Sequence, residues 1–586
     1  MIEKILILNM TRMGDLIQST PLLAGLRKRH PSARITVVVS SDFLEFAKRI
    51  PHVDEIVVFN LRQFNEREEG TNLSWVEVYR YLEKFLDDLA ASRFDLLVNL
   101  SHSKLSALMI SYLGVKEVRG FACHETGDRK TVHPWMQYFG TEPFNRAFNT
   151  YNLVDIFARG GDVVPDGQGV KIVSEPDDGA LIAETLAREN IRDGDFLIGI
   201  QAGSSLEGRR WPAASFAELA DLLAEKLGAR ILLFGVASES ALAREIVAHM
   251  RNKNAVLDLT GKTAIPQLIA WLTKCRYLVT NDTGTMHVAA ALGTPIVGLF
   301  FAHAHPRETA PYGAGHVVFQ ARIPCAPCSY GVQCNNVVCI DKVRPRHVYS
   351  MISRQNEEGI WELPPDMGNL EGMNVYQTSF DKDNLLRLKP MIKRPPAPED
   401  LVALAYRKMW LKALAGDGGE KSWKDGELED IADTVREDYD VACMEPALQD
   451  LRSKSESFQV LRRLAERAVP VTDRIIEAFG SRSLKADRLR LWSETLTQLD
   501  DRIDETGLTH PEVKPLADMF AKRKENLAGD DVLALARTTR KYYRQTIAEC
   551  ALMVGALAYT ADILEARSDW NLNAAPSSIK VAVPGR

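Results

Sequence analysis

Apolar residues arrive in short unbroken runs along the first 350 positions: 4–9 (KILILN), 35–39, 55–59 and 96–100. Runs apolar on every position suit strands buried on both faces, and the amphipathic stretch 16–29 between the first two predicts a covering helix. The grammar restarts after Asp166. Strands are predicted over 196–200, 230–234, 277–280 and 295–300, with helices over 216–227 and 287–292. The two series predict an α/β fold of two Rossmann-like, doubly wound halves, 1–165 and 166–354. Such halves hold a ligand in the crevice between them, at the carboxyl ends of the strands.

Residues 355–397 are rich in Pro, Gly and Asn and read as a linker, with a short extended piece over 374–379. From Pro398 the period changes. Leu401, Leu404, Ala405 and Met409 recur at helical spacing, and helices are predicted over 399–415, 446–468, 486–503 and 530–567. An all-α domain over 398–570 is expected, then a loose tail, 571–586.

At 586 residues the chain is long enough for three or four domains. Its 46% hydrophobic and 26% charged residues exclude a mainly disordered or fibrous chain. A net charge of −6 argues against a protein that coats nucleic acid. The N-terminus has no small-residue cleavage site and reads as a first strand, not a signal peptide. The apolar stretch 551–558 is far shorter than the ~20 residues of a membrane span. A cytoplasmic location is expected, with peripheral contact at the inner face of the membrane left open.

Three loops carry candidate chemistry. Met13-Gly14-Asp15-Leu16 follows the first strand and places Asp15 at a helix start, as a cap or as a general base facing the cleft. Gly203-Ser204-Ser205 leads to Arg209-Arg210-Trp211-Pro212, where Pro212 opens a helix. The two guanidinium groups are either solvated or suited to phosphate oxygens. Asn281-Asp282-Thr283-Gly284-Thr285-Met286-His287 also joins a strand to a helix, so its backbone N–H groups can hold an anion. Asp282 could merely cap that helix, and His287 could be a core histidine. Asp193-Gly194-Asp195 precedes a strand and reads as a turn, not a metal site.

Of eight cysteines, Cys123, Cys275, Cys443 and Cys550 are scattered like small core residues. The others, Cys325, Cys328, Cys334 and Cys339, fall within fifteen residues. Four soft ligands so close suit a structural zinc or an iron, with free thiols as the alternative.

Residues 1–350 resemble glycosyltransferase family 9, the ADP-heptose:lipopolysaccharide heptosyltransferases and their relatives. The resemblance rests on the order of Met13-Gly14-Asp15, Arg209-Arg210-Trp211-Pro212, Leu259-Thr260-Gly261-Lys262-Thr263, and Asp282-Thr283-Gly284 with His287. It implies a GT-B fold and a metal-independent, inverting transfer of heptose or a related sugar from a nucleoside diphosphate donor, ADP-heptose above all. The acceptor would be a lipopolysaccharide, another bacterial surface glycan or a glycoprotein. By position, Asp15 would be the base and Arg209 would stand where the family has a donor-phosphate lysine. Lys262, Thr283, Gly284 and Thr285 would serve the donor, with Asp282 and His287 shaping the diphosphate loop. Glu239 would accept from the donor ribose, though it could also be an exposed helix-start residue. A similar cysteine-rich loop occurs in many members of that family, and its place beside the cleft suggests loop stiffening, not catalysis. The helical domain lies outside the resemblance and is a candidate for acceptor binding or self-association. The rival readings are a non-catalytic nucleotide-sugar-binding or assembly protein on a GT-B relic, and an epimerase on the same frame.

Overall fold

The computed structural model describes residues 2–60, 74–141, 145–330, 332, 334, 336–365, 367–368, 370–415, 422–440, 445–481 and 485–565. Cys443 and the tail 571–586 lie outside the described residues.

The first sheet is built from β1 (Lys4–Leu8), β2 (Arg34–Ser40), β3 (Glu55–Phe59), β4 (Leu96–Asn99), β5 (Glu117–Cys123) and β6 (Arg129–Val132), in the order β3-β2-β1-β4-β5-β6. All neighbours are parallel except the β5–β6 pair. The second sheet contains β7 (Leu197–Gln201), β8 (Arg230–Phe234), β9 (Val256–Asp258), β10 (Tyr277–Asn281), β11 (Ile296–Phe300), β12 (Val317–Ala321), β13 (Met373–Phe380) and β14 (Leu386–Pro390). Its order is β14-β13-β12-β11-β10-β7-β8-β9, parallel from β9 to β12. The apolar runs are buried throughout, as in β7, β10, β11 and β12, because helices cover both faces of each sheet.

The amphipathic stretch expected over 16–29 is two helices, Met13–Gln18 and Thr20–Arg29. They meet at Ser19, and Pro21, which has no N–H to give, lies in the first turn of the second.

The expected linker over 355–397 is corrected. Its start belongs to the Pro345–Glu358 helix, and β13 and β14 form an antiparallel hairpin that extends the second sheet beyond β12. The extended piece expected over 374–379 is part of β13, and most of the described Gly and Pro residues that suggested a linker lie outside the two strands. Averaged over the whole segment, they hid the period-2 pattern.

The region beyond Pro398 is helical, as expected: Pro398–Ala413, Glu429–Asp438, Glu445–Gly480, Ala486–Thr509, Lys514–Lys524 and Val532–Glu565. The third of these runs twelve residues past its expected end, through Pro470. The region does not hang free. Its core is continuous with Trp135, Tyr138, Phe148, Tyr151 and Ile156 of the first half. Arg407 joins all three parts, pairing with Asp381 at 2.6 Å and donating to the carbonyls of Thr150 and Leu386. The Val532–Glu565 helix is long and apolar enough, by length and composition, to cross a membrane, but half of its most apolar window is buried inside the protein.

Candidate functional site

In both sheets the strand order reverses beside the first strand, between β1 and β4 and between β7 and β10. A crevice opens at the carboxyl ends of strands at such a reversal. The loops singled out in the sequence lie at these two points.

On the first half, the turn after β1 is held by a small polar network. Asn9 Nδ2 donates to the Asp15 carbonyl at 3.1 Å, Thr11 Oγ1 donates to Asn9 Oδ1 at 2.6 Å, and the Met10 N–H donates to Ser101 Oγ at 2.9 Å. The Arg12 N–H donates to Asp15 Oδ2 at 3.1 Å. Asp15 thus holds the helix start, as the cap reading requires, and it also stands at the cleft. Burial pushes its carboxyl above the usual carboxylate range, against hydrogen bonds from Thr11 and the Arg12 backbone.

The Met13–Gln18 helix packs against the Gly284–Leu292 helix of the second half. A Cβ on Gly14 would lie 3.1 Å from Cδ2 of His287, and one on Gly284 would lie 2.7 Å from Cε of Met13. Two helix N-termini, one from each half, therefore meet, with Asp15 on one and the Thr283–Thr285 amides on the other. His287 is the buried spacer between them, and burial lowers its pKa to about 4, so its ring is neutral.

Asp282 begins the second loop. Burial raises its carboxyl to about 6, opposed by Arg209, whose Nη1 stands 3.7 Å from Oδ2. Thr309 Oγ1 donates to the same oxygen at 3.2 Å. The Nε of Arg209 is buried and has no partner among the described residues, which leaves a donor for an anion. Arg210 is committed elsewhere, donating from Nε and Nη2 to the Ser204 carbonyl at 3.0 and 2.8 Å.

Glu239 lies across the ends of β7 and β8. Its Oε2 accepts from Gln201 Nε2 at 3.1 Å and from the Val236 N–H at 3.0 Å. Thr285 Oγ1 donates to Gln201 Oε1 at 3.2 Å, so one glutamine links the 282–285 loop to the carboxylate. Thr283 Oγ1 is 3.2 Å from Thr280 Oγ1. Beside Glu239, residues Ala202, Phe234, Leu242 and Thr260 line a small pocket.

Lys262 is brought to the neighbouring turn but not to Arg209. Its Nζ donates to the Asp258 carbonyl at 2.8 Å, and its side chain is mostly exposed. Asp193-Gly194-Asp195 is the expected turn: Gly194 has φ +96°, and the Asp195 N–H donates to the Arg192 carbonyl at 3.1 Å. In the cysteine loop Cys325 and Cys334 are exposed, Cys328 is half-buried and Cys339 is buried. Burial, then repulsion from the other loop thiols, raises the Cys328 pKa. Among the described residues no three His, Cys, Asp or Glu side chains stand together as a metal-holding group.

Sequence reading missed Gln201 and the bolt between the halves. Gln201 was visible as the polar residue closing an apolar strand at the reversal point. Arg146, by contrast, gives no local signal. It is buried in a fork with Glu308, at 3.1 Å from Nε and 2.8 Å from Nη2, and donates to the carbonyls of His303 and Cys328 at 2.6 Å. It therefore ties the first half to both the segment after β11 and the cysteine loop.

The profile of glycosyltransferase family 9 (heptosyltransferase) matches residues 172–336. Lipopolysaccharide heptosyltransferase 1 of Pseudomonas aeruginosa is 26% identical over 336 residues, 56% of this chain and 86% of that protein. Lipopolysaccharide heptosyltransferase 2 of Escherichia coli K12 is 25% identical over 51% of this chain and 82% of its own length. The crystal structure of a family 9 glycosyl transferase from Veillonella parvula superposes with a TM-score of 0.50 at 22% identity, over 61% of this chain and 98% of that one. The resemblance read from the sequence holds, and the two α/β halves have the GT-B fold. The chain is a glycosyltransferase carrying a further helical region.

Proposed function

We propose that this glycosyltransferase moves heptose or a related sugar, with inversion, from a nucleoside diphosphate donor to a glycan in lipopolysaccharide synthesis. The observation that carries the reading is the packing of the Met13–Gln18 helix, which bears Asp15, against the Gly284–Leu292 helix of the other half. ADP-heptose is the donor to which the family resemblance points, and two of the similar relatives are named for lipopolysaccharide.

In this reading Asp15 accepts the proton of the acceptor hydroxyl as its oxygen attacks the anomeric carbon. The bond to the departing diphosphate breaks, and its charge grows on oxygens facing Arg209 and the Gly284 and Thr285 amides. Glu239, fixed by Gln201, would receive the ribose hydroxyls. Arg209 is a fork where a lysine would be a point charge, so it can hold two phosphate oxygens at once.

Asp15→Asn keeps an oxygen for the Arg12 N–H but removes the base. Transfer from ADP-heptose, or its slow hydrolysis when no acceptor is supplied, should fall by about 10²–10⁴ while donor affinity stays within about threefold. The acid limb of the wild-type rate profile should lie above the range of a free carboxylate, because burial raises Asp15. Donor binding with no turnover, unchanged by the substitution, would overturn the reading in favour of a binding protein.

A further inference from the structure

A second cavity, of about 500 Å³, opens away from the Asp15–Asp282 cleft, between the β13–β14 hairpin and the helical region. That volume is in the range of small-molecule sites. Its floor is one face of the hairpin. Tyr376 pairs with Pro390 and Phe380 with Leu386, and the alternation of side chains puts these residues and Leu388 on the same side. The Pro398–Ala413 and Glu429–Asp438 helices form the opposite wall through Leu404 and Thr434.

The two ends differ in chemistry. At one end lie Arg322 and Arg394. Arg394 is held by Asn374 Oδ1 at 2.9 Å and by the carbonyls of Leu370 and Met373 at 2.6 and 2.9 Å, none of them a carboxylate. Burial, and then the positive charge of Arg322, lowers its pKa, with Tyr376 and exposed Glu371 offsetting part of this. The Arg322 guanidinium makes no hydrogen bond or ion pair among the described residues. Two neighbouring guanidinium groups without a bound carboxylate are suited to an added anion.

At the other end the charges are paired, Arg387 with Asp438 and Glu437, and Asp430 with Lys382 and Lys408. Two polar atoms are left over. Arg387 Nε and Asp430 Oδ1 are buried with no partner among the described residues. One is a donor and the other an acceptor, and a hydroxyl group satisfies either. A buried polar atom without a partner is costly, so a ligand that meets both gains by doing so.

We propose that this cavity binds a sugar carrying one anionic group, a phosphate or a carboxylate. Arg322 and Arg394 take the anion, the ring lies on the Tyr376, Leu388 and Pro390 face, and ring hydroxyls meet Arg387 Nε and Asp430 Oδ1. The site is separate from the transfer cleft and does not depend on the identity of donor or acceptor.

Calorimetric titration of the full chain with glucose 6-phosphate, glucuronate, glucose and inorganic phosphate at low salt tests this. At least one of the two anionic sugars should bind at least about tenfold tighter than glucose or inorganic phosphate alone, and which of them binds identifies the anion. Arg322→Gln should weaken that binding by about tenfold without affecting folding, since this side chain has no internal partner to lose. Arg394→Gln should weaken it further, and Arg209→Gln, in the cleft, should leave it unchanged. Binding by neither sugar, binding indifferent to Arg322 and Arg394, or inorganic phosphate binding as tightly as the sugar phosphate would each overturn the proposal.

Discussion

A missing Cβ sets the geometry around Glu239. Built on Gly203, it would lie 1.7 Å from Oε1 of Glu239, and on Gly235 it would lie 2.7 Å from Oε2. The carboxylate therefore rests directly on the backbone at the ends of β7 and β8, where Gln201 reaches it. Gly203→Ala should force the carboxylate off this shelf and lower donor affinity to the same degree as Glu239→Ala. In the Glu239→Ala background the glycine substitution should cost almost nothing more, because the two act through one contact. Donor titration of the single and double variants measures this, and additive losses would show that Glu239 is not held as described. At this scale the sequence was most readable where a residue closes a strand. Asp15, Asp282 and Arg209 announced themselves by position, whereas Glu239 could be placed only through the resemblance. The Thr285–Gln201–Glu239 relay stayed hidden because its members are 38 and 84 positions apart.

Secondary elements carried less warning of how they pack. The strands of both halves were legible because each is apolar on every position, which only a sheet covered on both faces produces. Of the β13–β14 hairpin only the extended piece over 374–379 was legible, because the turn that follows it meets the helical region through charged pairs and reads as polar. Arg407 is the clearest of these, a buried guanidinium from the Pro398–Ala413 helix that Asp381 neutralises between the two strands. Arg407→Ala leaves Asp381 without its partner and strips two carbonyls of a donor. Removing one partner of a buried pair costs about 3–5 kcal/mol, and the loss should appear as a lower denaturation midpoint in one shared transition. A helical region built as an independent unit on a linker would instead unfold in a separate transition that this substitution left unmoved.

Across the whole molecule, buried ionisable groups join the parts and also set the response to acid. Arg146–Glu308 bolts the halves together, and Tyr312 donates to Asp155 at 2.6 Å across the same boundary. None of these pairings was legible, since each joins residues more than 150 positions apart and a one-dimensional pattern records only neighbours. Their energetic consequence can still be derived. His287, His305, His316 and His347 are buried, and burial lowers each pKa from 6.5 to about 4. Between those values the unfolded chain binds the protons and the folded chain does not, so these groups make stability fall as pH drops from about 6.5 to 4. Asp155 and Asp282 act in the opposite sense. Burial raises them to about 7 and about 6 from 3.8, so the folded state holds their protons first and gains as pH falls through that window. His102, also lowered to about 4, adds to the histidines and Asp15, raised by burial, adds to the carboxyls, and the histidines still outnumber the carboxyls near pH 5. Denaturant unfolding at pH 6.5, 5.5 and 4.5 should therefore show stability decreasing steadily toward acid. Asp155→Asn should steepen the decline, because it removes a group that resists it. A flat profile over this range would mean that the histidines are not held neutral in the folded protein.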